Sequence, residues 1–174
     1  IVYIADRYGV AIADISTGDY FVTELPDSSR LMDEIYKFSP SEIICNEAFY
    51  MSGMDLDAMR DKLGITIYSL DSWYFDDAVC KDKLLEHFKV KNFAGLGLAD
   101  YDCGIISAGA LLIYLFETQK NSLSNLTHIT PYITGKYMLI DSSTRRNLEL
   151  CETLREKQKR GSLLWVLDKT RTAM

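Results

Sequence analysis

Three short runs of apolar residues, separated by turn signals, open the chain and limit its possible folds more than any other feature. The runs lie at residues 2–5, 10–15 and 20–25, and residues 16–19 read Ser-Thr-Gly-Asp. Gly and Asp favour tight turns because Gly tolerates positive φ angles and the Asp side chain bonds to the nearby backbone. Strands joined by such short turns pair with their neighbours, so the sequence predicts an antiparallel three-stranded meander.

Helical and strand-like patterns alternate after the meander. Apolar residues between 28 and 38 recur at helical spacing behind the start signal Pro-Asp-Ser. The predicted elements are a helix that opens at 26–28 and is ended by Pro40, a strand at 42–45, a helix at 56–63 and a strand at 65–70. Consecutive strand–helix–strand units form right-handed parallel crossovers. The predicted fold class is therefore α/β, with a mixed sheet flanked by helices.

The rest of the chain is mostly helical in pattern. Residues 100–120 have the strongest helical pattern, and their centre is apolar on nearly all sides, which indicates a buried helix. Their apolar run, 105–116, is far shorter than the roughly 20 residues that cross a bilayer, so no membrane contact is expected. The other predicted elements are one helix at 72–90, an extended segment at 137–140, a helix from a cap within 141–144 to 154, and a second short helix capped by Ser162.

Charge divides the chain near Gly135. The whole sequence has a formal net charge of -6, but residues 1–135 carry 20 acidic and 10 basic residues, whereas 136–174 carry 5 acidic and 9 basic ones. Such asymmetry suggests a domain boundary, and the Ser-, Thr- and Asn-rich stretch at about 121–136 is typical of a linker or surface loop. The acidic balance excludes a basic nucleic-acid-binding module as the whole function.

Four carboxylates on or beside the predicted strands raise the question of a metal-dependent nuclease. A ribonuclease-H-like fold gathers carboxylates around two Mg²⁺ ions. Asp6 and Asp19 fall in predicted turns, where Asp is favoured for its own backbone hydrogen bonds, and this structural interpretation is preferred. A small metal-dependent nuclease is kept as the alternative. The carboxylates are Asp6, Asp14, Asp19 and Glu47.

Histidines and cysteines give no spacing typical of a metal site. His87 and His128 are the only histidines, and neither has a second His or a Cys at zinc-ligand spacing. The cysteines form no CxxC pair, which favours buried reduced thiols. They are Cys45, Cys80, Cys103 and Cys151.

A basic cluster near the predicted end of the 141–154 helix has two interpretations. Its side chains could contact phosphates weakly, or they could form a solvated face that complements the helix dipole. The solvated face is preferred. The cluster consists of Arg155, Lys157, Lys159 and Arg160.

Three consecutive aromatic residues, Trp73, Tyr74 and Phe75, also have two interpretations. They could stack nucleic-acid bases, as aromatic platforms do. No basic residues are interleaved with them, so packing in the core is preferred.

Two ordered blocks in the last third carry a specific motif. Residues 141–149 contain Asp-x-x-Thr-x-x-Asn-Leu-Glu, and 162–170 contain Ser-Leu-x-x-x-Leu-Asp-x-Thr. This pair resembles the opening of the core, or lever, domain of the MutS family of DNA mismatch repair proteins. Upstream, the stretches 9–19, 39–43 and 108–119 are similar to the connector domain of that family. The resemblance covers nearly the whole chain.

The resemblance implies a ribonuclease-H-like connector domain at 1–136, with the linker at about 121–136, and the start of the helical core domain at 137–174. It implies no catalytic, cofactor-binding or metal-binding residue in this stretch. Its motif residues in the second block are expected to be structural, and they are Asp141, Thr144, Asn147, Leu148 and Glu149.

The resemblance also implies partners and a setting for the parent protein. The parent would be a homodimer that binds mismatched DNA and hydrolyses ATP with Mg²⁺, in the bacterial cytoplasm and near the nucleoid. This stretch would join the mismatch-reading domain to the core, contact other MutS domains and offer a surface to MutL.

Overall fold

A computed structural model describes residues 1–119, 123–134 and 140–169. Three antiparallel strands open the fold: β1 (Val2–Ile4), β2 (Arg7–Asp14) and β3 (Asp19–Leu25). Val2 pairs with Gly9, and Asp14 pairs with Asp19 across the second turn. The predicted meander is therefore confirmed.

The helix–strand alternation that follows is also confirmed. Strands β4 (Glu42–Cys45) and β5 (Thr66–Ser69) are parallel, with Glu42 opposite Thr66. Helix α1 is Ser28–Phe38, the unpredicted short helix α2 is Glu47–Tyr50, and α3 is Leu56–Leu63. Gly64 ends α3 with φ of 66°, a left-handed conformation that glycine adopts without steric cost.

The strands form two hydrogen-bonded ladders. One is a four-stranded sheet in the order β1-β2-β3-β6, where β6 is Thr130–Pro131, and the other is β4-β5. The larger sheet is mixed, because β6 runs parallel to β3. The two ladders meet where the Ile1 amine donates to the Ile44 carbonyl at 2.7 Å. Beside that contact, a groove of about 520 Å³ separates β2 from β4. The mixed α/β class is confirmed, while the ribonuclease-H-like assignment stays a prediction.

The predicted helix at 72–90 is wrong in its first turn. A 3₁₀ turn spans Ser72–Phe75, and helix α4 (Asp77–Phe88) begins only after it. Asp76 separates the two because its side chain accepts from the Val79 amide at 3.0 Å, which makes it the N-cap of α4.

Helix α5 (Cys103–Gln119) is buried on most sides, as predicted. It packs against β2 and β3 on one side and against α4 on the other. Gly109 permits the second contact, because a Cβ there would come within 2.3 Å of the Cβ of Cys80. Together, α4 and α5 cover one face of the sheet and bury Tyr20, Val22 and Leu112, whereas the α1–α3 side buries a separate cluster.

The described part of the predicted linker packs on the rest of the fold. In residues 123–134, Leu123, Leu126 and Ile129 are buried in the same cluster as α5. The Tyr132 amide then donates to the Val22 carbonyl at 2.9 Å. A three-residue apolar spacing hidden among polar residues therefore anchors this segment to the sheet. The stretches 120–122 and 135–139, which include most of the predicted extended segment 137–140, lie outside the described residues.

The chain after residue 140 contains two short helices, α6 (Ser142–Asn147) and α7 (Leu163–Leu167). The predicted extension of the first helix to residue 154 is wrong. Glu149 has a φ of 48°, which breaks the helix, and turns follow it. The predicted cap is confirmed for the second helix, where the Ser162 hydroxyl accepts from the Trp165 amide at 3.2 Å. We call residues 140–169 the tail.

Candidate interaction surfaces

The motif residues of the tail form a helix start and the turn after the helix. The Asp141 carboxylate accepts from the Thr144 amide and from the Thr144 hydroxyl, both at 2.8 Å. These bonds lower the pKa of Asp141. Asn147 ends α6 and is exposed, as is Leu148 after it. The Glu149 carboxylate accepts from the backbone amide of residue 154 at 2.6 Å.

The four basic residues 155, 157, 159 and 160 are all exposed, and none lies in a helix. The expectation that they flank a helix end is wrong. The nearest helix is α7, which begins after them at Leu163, and a helix N-terminus repels cations. The dipole interpretation therefore fails, and these side chains present their charges to solvent.

The carboxylates considered for a metal site are engaged in local turns. Asp14 accepts from the Ser16 amide at 2.8 Å and from its hydroxyl at 2.6 Å, which lowers the pKa of Asp14. Asp19 accepts from the Thr17 hydroxyl at 2.6 Å. The turn interpretation is confirmed for Asp19, and Asp14 bonds to the same turn. Across the described parts of the chain, no three His, Cys, Asp or Glu residues are grouped to hold a metal ion.

The remaining two carboxylates lie apart from that turn. Asp6 has a φ of 60° in the turn between β1 and β2, and it accepts from the Tyr3 hydroxyl at 2.8 Å. Glu47 is exposed in the first turn of α2.

The cysteines are free thiols, and three of them are buried. Burial raises the pKa of Cys80 to about 12, so this thiol stays protonated and unreactive near neutral pH. Cys151 is half-buried, and the Arg145 guanidinium donates to its Sγ at 3.2 Å. His87 lies with its Nε2 2.9 Å from the Leu126 carbonyl, which fits a packing role.

The prediction that the aromatic triplet packs in the core is correct for two of its residues and wrong for the third. Phe75 and Tyr74 pack against the buried cluster of Cys80, as expected for core residues. Trp73 does not: it is 47% exposed, and its ring stacks on Tyr74 with the centroids 3.9 Å apart. Trp73 lies in the 3₁₀ turn, none of whose residues is fully buried.

Four residues join Trp73 and Tyr74 in one surface that the sequence did not reveal. The Tyr74 hydroxyl donates to Glu117 of α5, and the Tyr114 hydroxyl donates to Glu42 of β4. Tyr68 of β5 is 47% exposed and lies close enough to Tyr114 to affect its pKa. These contacts span 43 and 72 residues of sequence, so no local pattern signals them. We call this surface the aromatic ledge, and it consists of Glu42, Tyr68, Trp73, Tyr74, Tyr114 and Glu117.

The tail exposes a row of large apolar side chains. Every residue of α7 is between 44% and 64% exposed. The turns before it expose two more leucines, Leu148 and Leu154. Contiguous apolar surface of this kind marks an interface more often than a solvated face. No helix in the described part of the chain is both long and apolar enough to span a membrane.

Comparison with known proteins finds relatives that match both the α/β part and the tail. The family model described as MutS domain II matches residues 2–130. A DNA mismatch repair protein MutS from Lachnoclostridium phytofermentans is 56% identical over 174 residues. Proteins of the same name from Alkaliphilus oremlandii and Ruminiclostridium cellulolyticum are 41% and 40% identical over 171 and 170 residues. These alignments cover 100%, 95% and 96% of this chain but only 19% of each relative.

Proposed function

The chain belongs to the MutS family of DNA mismatch repair proteins, and we propose that it acts there as a non-catalytic connector that joins the mismatch-reading part to the core. One observation carries this proposal. The α/β part buries its own core on both faces of its sheet, whereas the tail leaves the apolar row of α7 exposed. A self-sufficient domain followed by an unpaired apolar helix suits a unit that is fastened to a second domain.

The domain limits follow from the same contrast. We propose a connector domain at 1–136 with a ribonuclease-H-like fold, and the start of the helical core domain at 137–174. The match to residues 2–130 and the anchoring of Tyr132 on β3 support a boundary after residue 132. The contact between the Ile1 amine and Ile44 supports a sheet in which β1 lies beside β4.

The chemistry of the whole MutS protein lies outside this chain in our proposal. We propose that the parent is a homodimer in the bacterial cytoplasm, close to the nucleoid, that binds mismatched DNA and hydrolyses ATP with Mg²⁺. The chain itself would contribute contacts to other MutS domains and a surface for MutL. Its basic residues 155–160 would add at most weak, sequence-independent phosphate contacts, because the preceding α/β part is acidic.

An insertion in a full-length MutS protein that contains this chain tests the connector role. Six alternating Gly and Ser residues placed after residue 134 should leave mismatch binding and basal ATP hydrolysis near the parent level. The stimulation of ATP turnover by mismatched DNA should fall, because the two parts no longer move together. Unchanged stimulation would remove the connector role. The same insertion within the exposed turn at 16–17 is the matched control, and it should preserve stimulation.

A direct assay separates the connector from the nuclease alternative. The 174-residue chain should cut no nucleic acid in the presence of Mg²⁺. Cutting that depends on Mg²⁺ and disappears in Asp14→Asn would favour the nuclease instead.

A cross-linking series tests the MutL contact. Single charge reversals over the surface of residues 1–134 should reduce cross-linking to MutL at one contiguous patch. If all variants cross-link like the parent, the MutL surface lies elsewhere in the protein.

A further inference from the structure

The aromatic ledge begins on the open face of the β4–β5 ladder. Side chains alternate between the two faces of a strand. Ile43 and Ile67 point to one face and are buried in the cluster beneath α1 and α3. On the opposite face, Thr66 is exposed and Tyr68 is 47% exposed. One face of this small ladder is thus covered by the fold, and the other is partly open.

Aromatic side chains from two other elements form the wall of this open face. Tyr114 comes from α5, and Trp73 and Tyr74 come from the 3₁₀ turn between β5 and α4. Trp73 stacks on Tyr74 with an angle of 29° between the rings, which uses one face of the indole. At 47% exposure, the Trp73 side chain retains substantial surface for a ligand to cover.

Carboxylates lie at the edge of these rings. Glu42 and Glu117 each accept a hydroxyl hydrogen bond from a ledge tyrosine, which fixes the carboxylate beside the ring. The pKa values of Tyr74 and Tyr114 are raised to about 12, so both hydroxyls remain donors at neutral pH. A carboxylate has more acceptor sites than one such bond occupies, so it can still bind a cationic donor.

The segment between β5 and α4 adds more negative than positive charge around the ledge. Residues 64–80 contain Asp71, Asp76 and Asp77 but no Lys or Arg. Lys81 pairs with Asp77 at 2.7 Å, and the remaining excess of carboxylates opposes nucleic acid because phosphates would be repelled. Aromatic faces flanked by carboxylates are instead the surroundings that attract guanidinium and ammonium groups.

We propose that the aromatic ledge docks a basic segment of a partner protein that presents arginine side chains. A guanidinium plane stacks on an aromatic face and donates two parallel hydrogen bonds to a carboxylate, which an ammonium group cannot match. The ledge offers both features within one surface, through Trp73 and Glu117. The inference goes beyond the connector role and does not depend on the MutL contact.

Trp73 is itself the reporter for the test. The chain has two tryptophans, so Trp165→Phe leaves Trp73 as the only one. In this background, a capped Arg-Gly-Arg-Gly-Arg peptide should change the Trp73 emission saturably at about 150 mM salt, where long-range attraction is screened. The Lys analogue should bind about threefold more weakly or worse, and the Glu analogue should give no change. An oligothymidylate that binds as tightly as the Arg peptide would overturn the proposal, as would equal binding of the Arg and Lys peptides.

Substitutions locate the binding. Glu117→Gln and Tyr68→Ala change exposed side chains, and each should weaken the binding of the Arg peptide by about three- to fivefold. Asp61→Asn removes one exposed charge from α3 and is the matched control, which should leave the affinity unchanged. If Asp61→Asn weakens binding as much as Glu117→Gln does, the attraction is diffuse and the ledge is not a docking site. Thermal unfolding of each variant verifies that the fold is retained.

Discussion

Leucines of the α/β part and leucines of the tail have opposite environments. Leu84 and Leu112 are fully buried, whereas Leu163 and Leu167 are 44% and 64% exposed. Helices α4 and α6 begin with the same kind of N-cap, since Asp76 and Asp141 each accept a hydrogen bond from the backbone amide three residues further on. Yet α4 continues for 12 residues and α6 for only 6. A cap decides where a helix begins, but packing against a covered face decides how far it continues.

The same truncation in the two regions gives the largest expected difference. Leu112→Ala should lower the free energy of unfolding by about 3 kcal/mol, because it leaves a cavity in the core. Leu167→Ala should change it by less than about 0.5 kcal/mol, because its side chain is mostly in solvent. Urea unfolding of both variants measures the two values. A large loss for Leu167→Ala would show that the tail is part of the core.

A glycine pair tests how tightly the buried layers are packed. Gly109→Ala should lower the free energy of unfolding by about 2–3 kcal/mol, because the new Cβ lies 2.3 Å from the Cys80 Cβ and forces α4 and α5 apart. Gly95→Ala is the control, since its Cβ would meet nothing closer than 3.7 Å. Urea midpoints compare the two. Equal, small effects would mean that α4 and α5 separate easily.

High pH should destabilise the α/β part through its buried phenols. Burial raises the pKa of Tyr20 well above its usual value of 10.0, and its hydroxyl donates to the Ala108 carbonyl at 2.6 Å. Burial and then Glu34 raise the pKa of Tyr132. The folded state keeps these phenols protonated, so their contribution to the free energy of unfolding is complete below pH 10. This contribution is lost as the pH rises further, by up to about 1.4 kcal/mol per pH unit for each phenol.

Unfolding curves between pH 9 and 12 measure this loss. Tyr20→Phe should make the decline of stability with pH less steep. Ile105→Val is the control, because it destabilises the same core without removing a phenol. A slope that is unchanged in Tyr20→Phe would assign the alkaline loss to other groups.

Two residues with the same strained backbone give the smallest expected difference. Ala5 and Lys157 both have a φ of 48°, which Asn tolerates better than either residue. Ala5→Asn should raise the free energy of unfolding by about 0.5 kcal/mol, because the turn belongs to the meander. Lys157→Asn should leave it unchanged if the tail opens separately. A stabilising effect at Lys157 would join the tail to the cooperative unit.

Much of the fold could be predicted because its signals are local. The turn at 16–19 and the alternating strands give the meander, and the apolar run of α5 gives a buried helix. The error in the first turn of the 72–90 helix comes from a local signal that the sequence alone does not distinguish from its neighbours. Asp76 was one of several polar residues in an apolar pattern, yet its capping bond separates a 3₁₀ turn from α4.

The surfaces were less predictable than the fold. The turn roles of Asp14 and Asp19 follow from Asp chemistry and neighbouring hydroxyls. The aromatic ledge does not, because Tyr114 and Glu42 meet only after α5 packs beside the ladders. The helix predicted to residue 154 failed for the opposite reason, since its apolar pattern presumes a packing partner, whereas Leu148 is 57% exposed.

The anchoring of Tyr132 sets the length of a tether. Its amide is bonded to Val22, its hydroxyl to Glu34 at 2.9 Å, and its ring packs edge-on to Phe21. The next capping residue, Asp141, is nine positions further along the chain, which spans at most about 30 Å even when fully extended. Anything fastened to α6 therefore remains within that radius of the outer edge of β3. A pull on the tail is therefore delivered to the α/β part at two places: the outer edge of β3, through Tyr132, and helix α1, which α6 contacts.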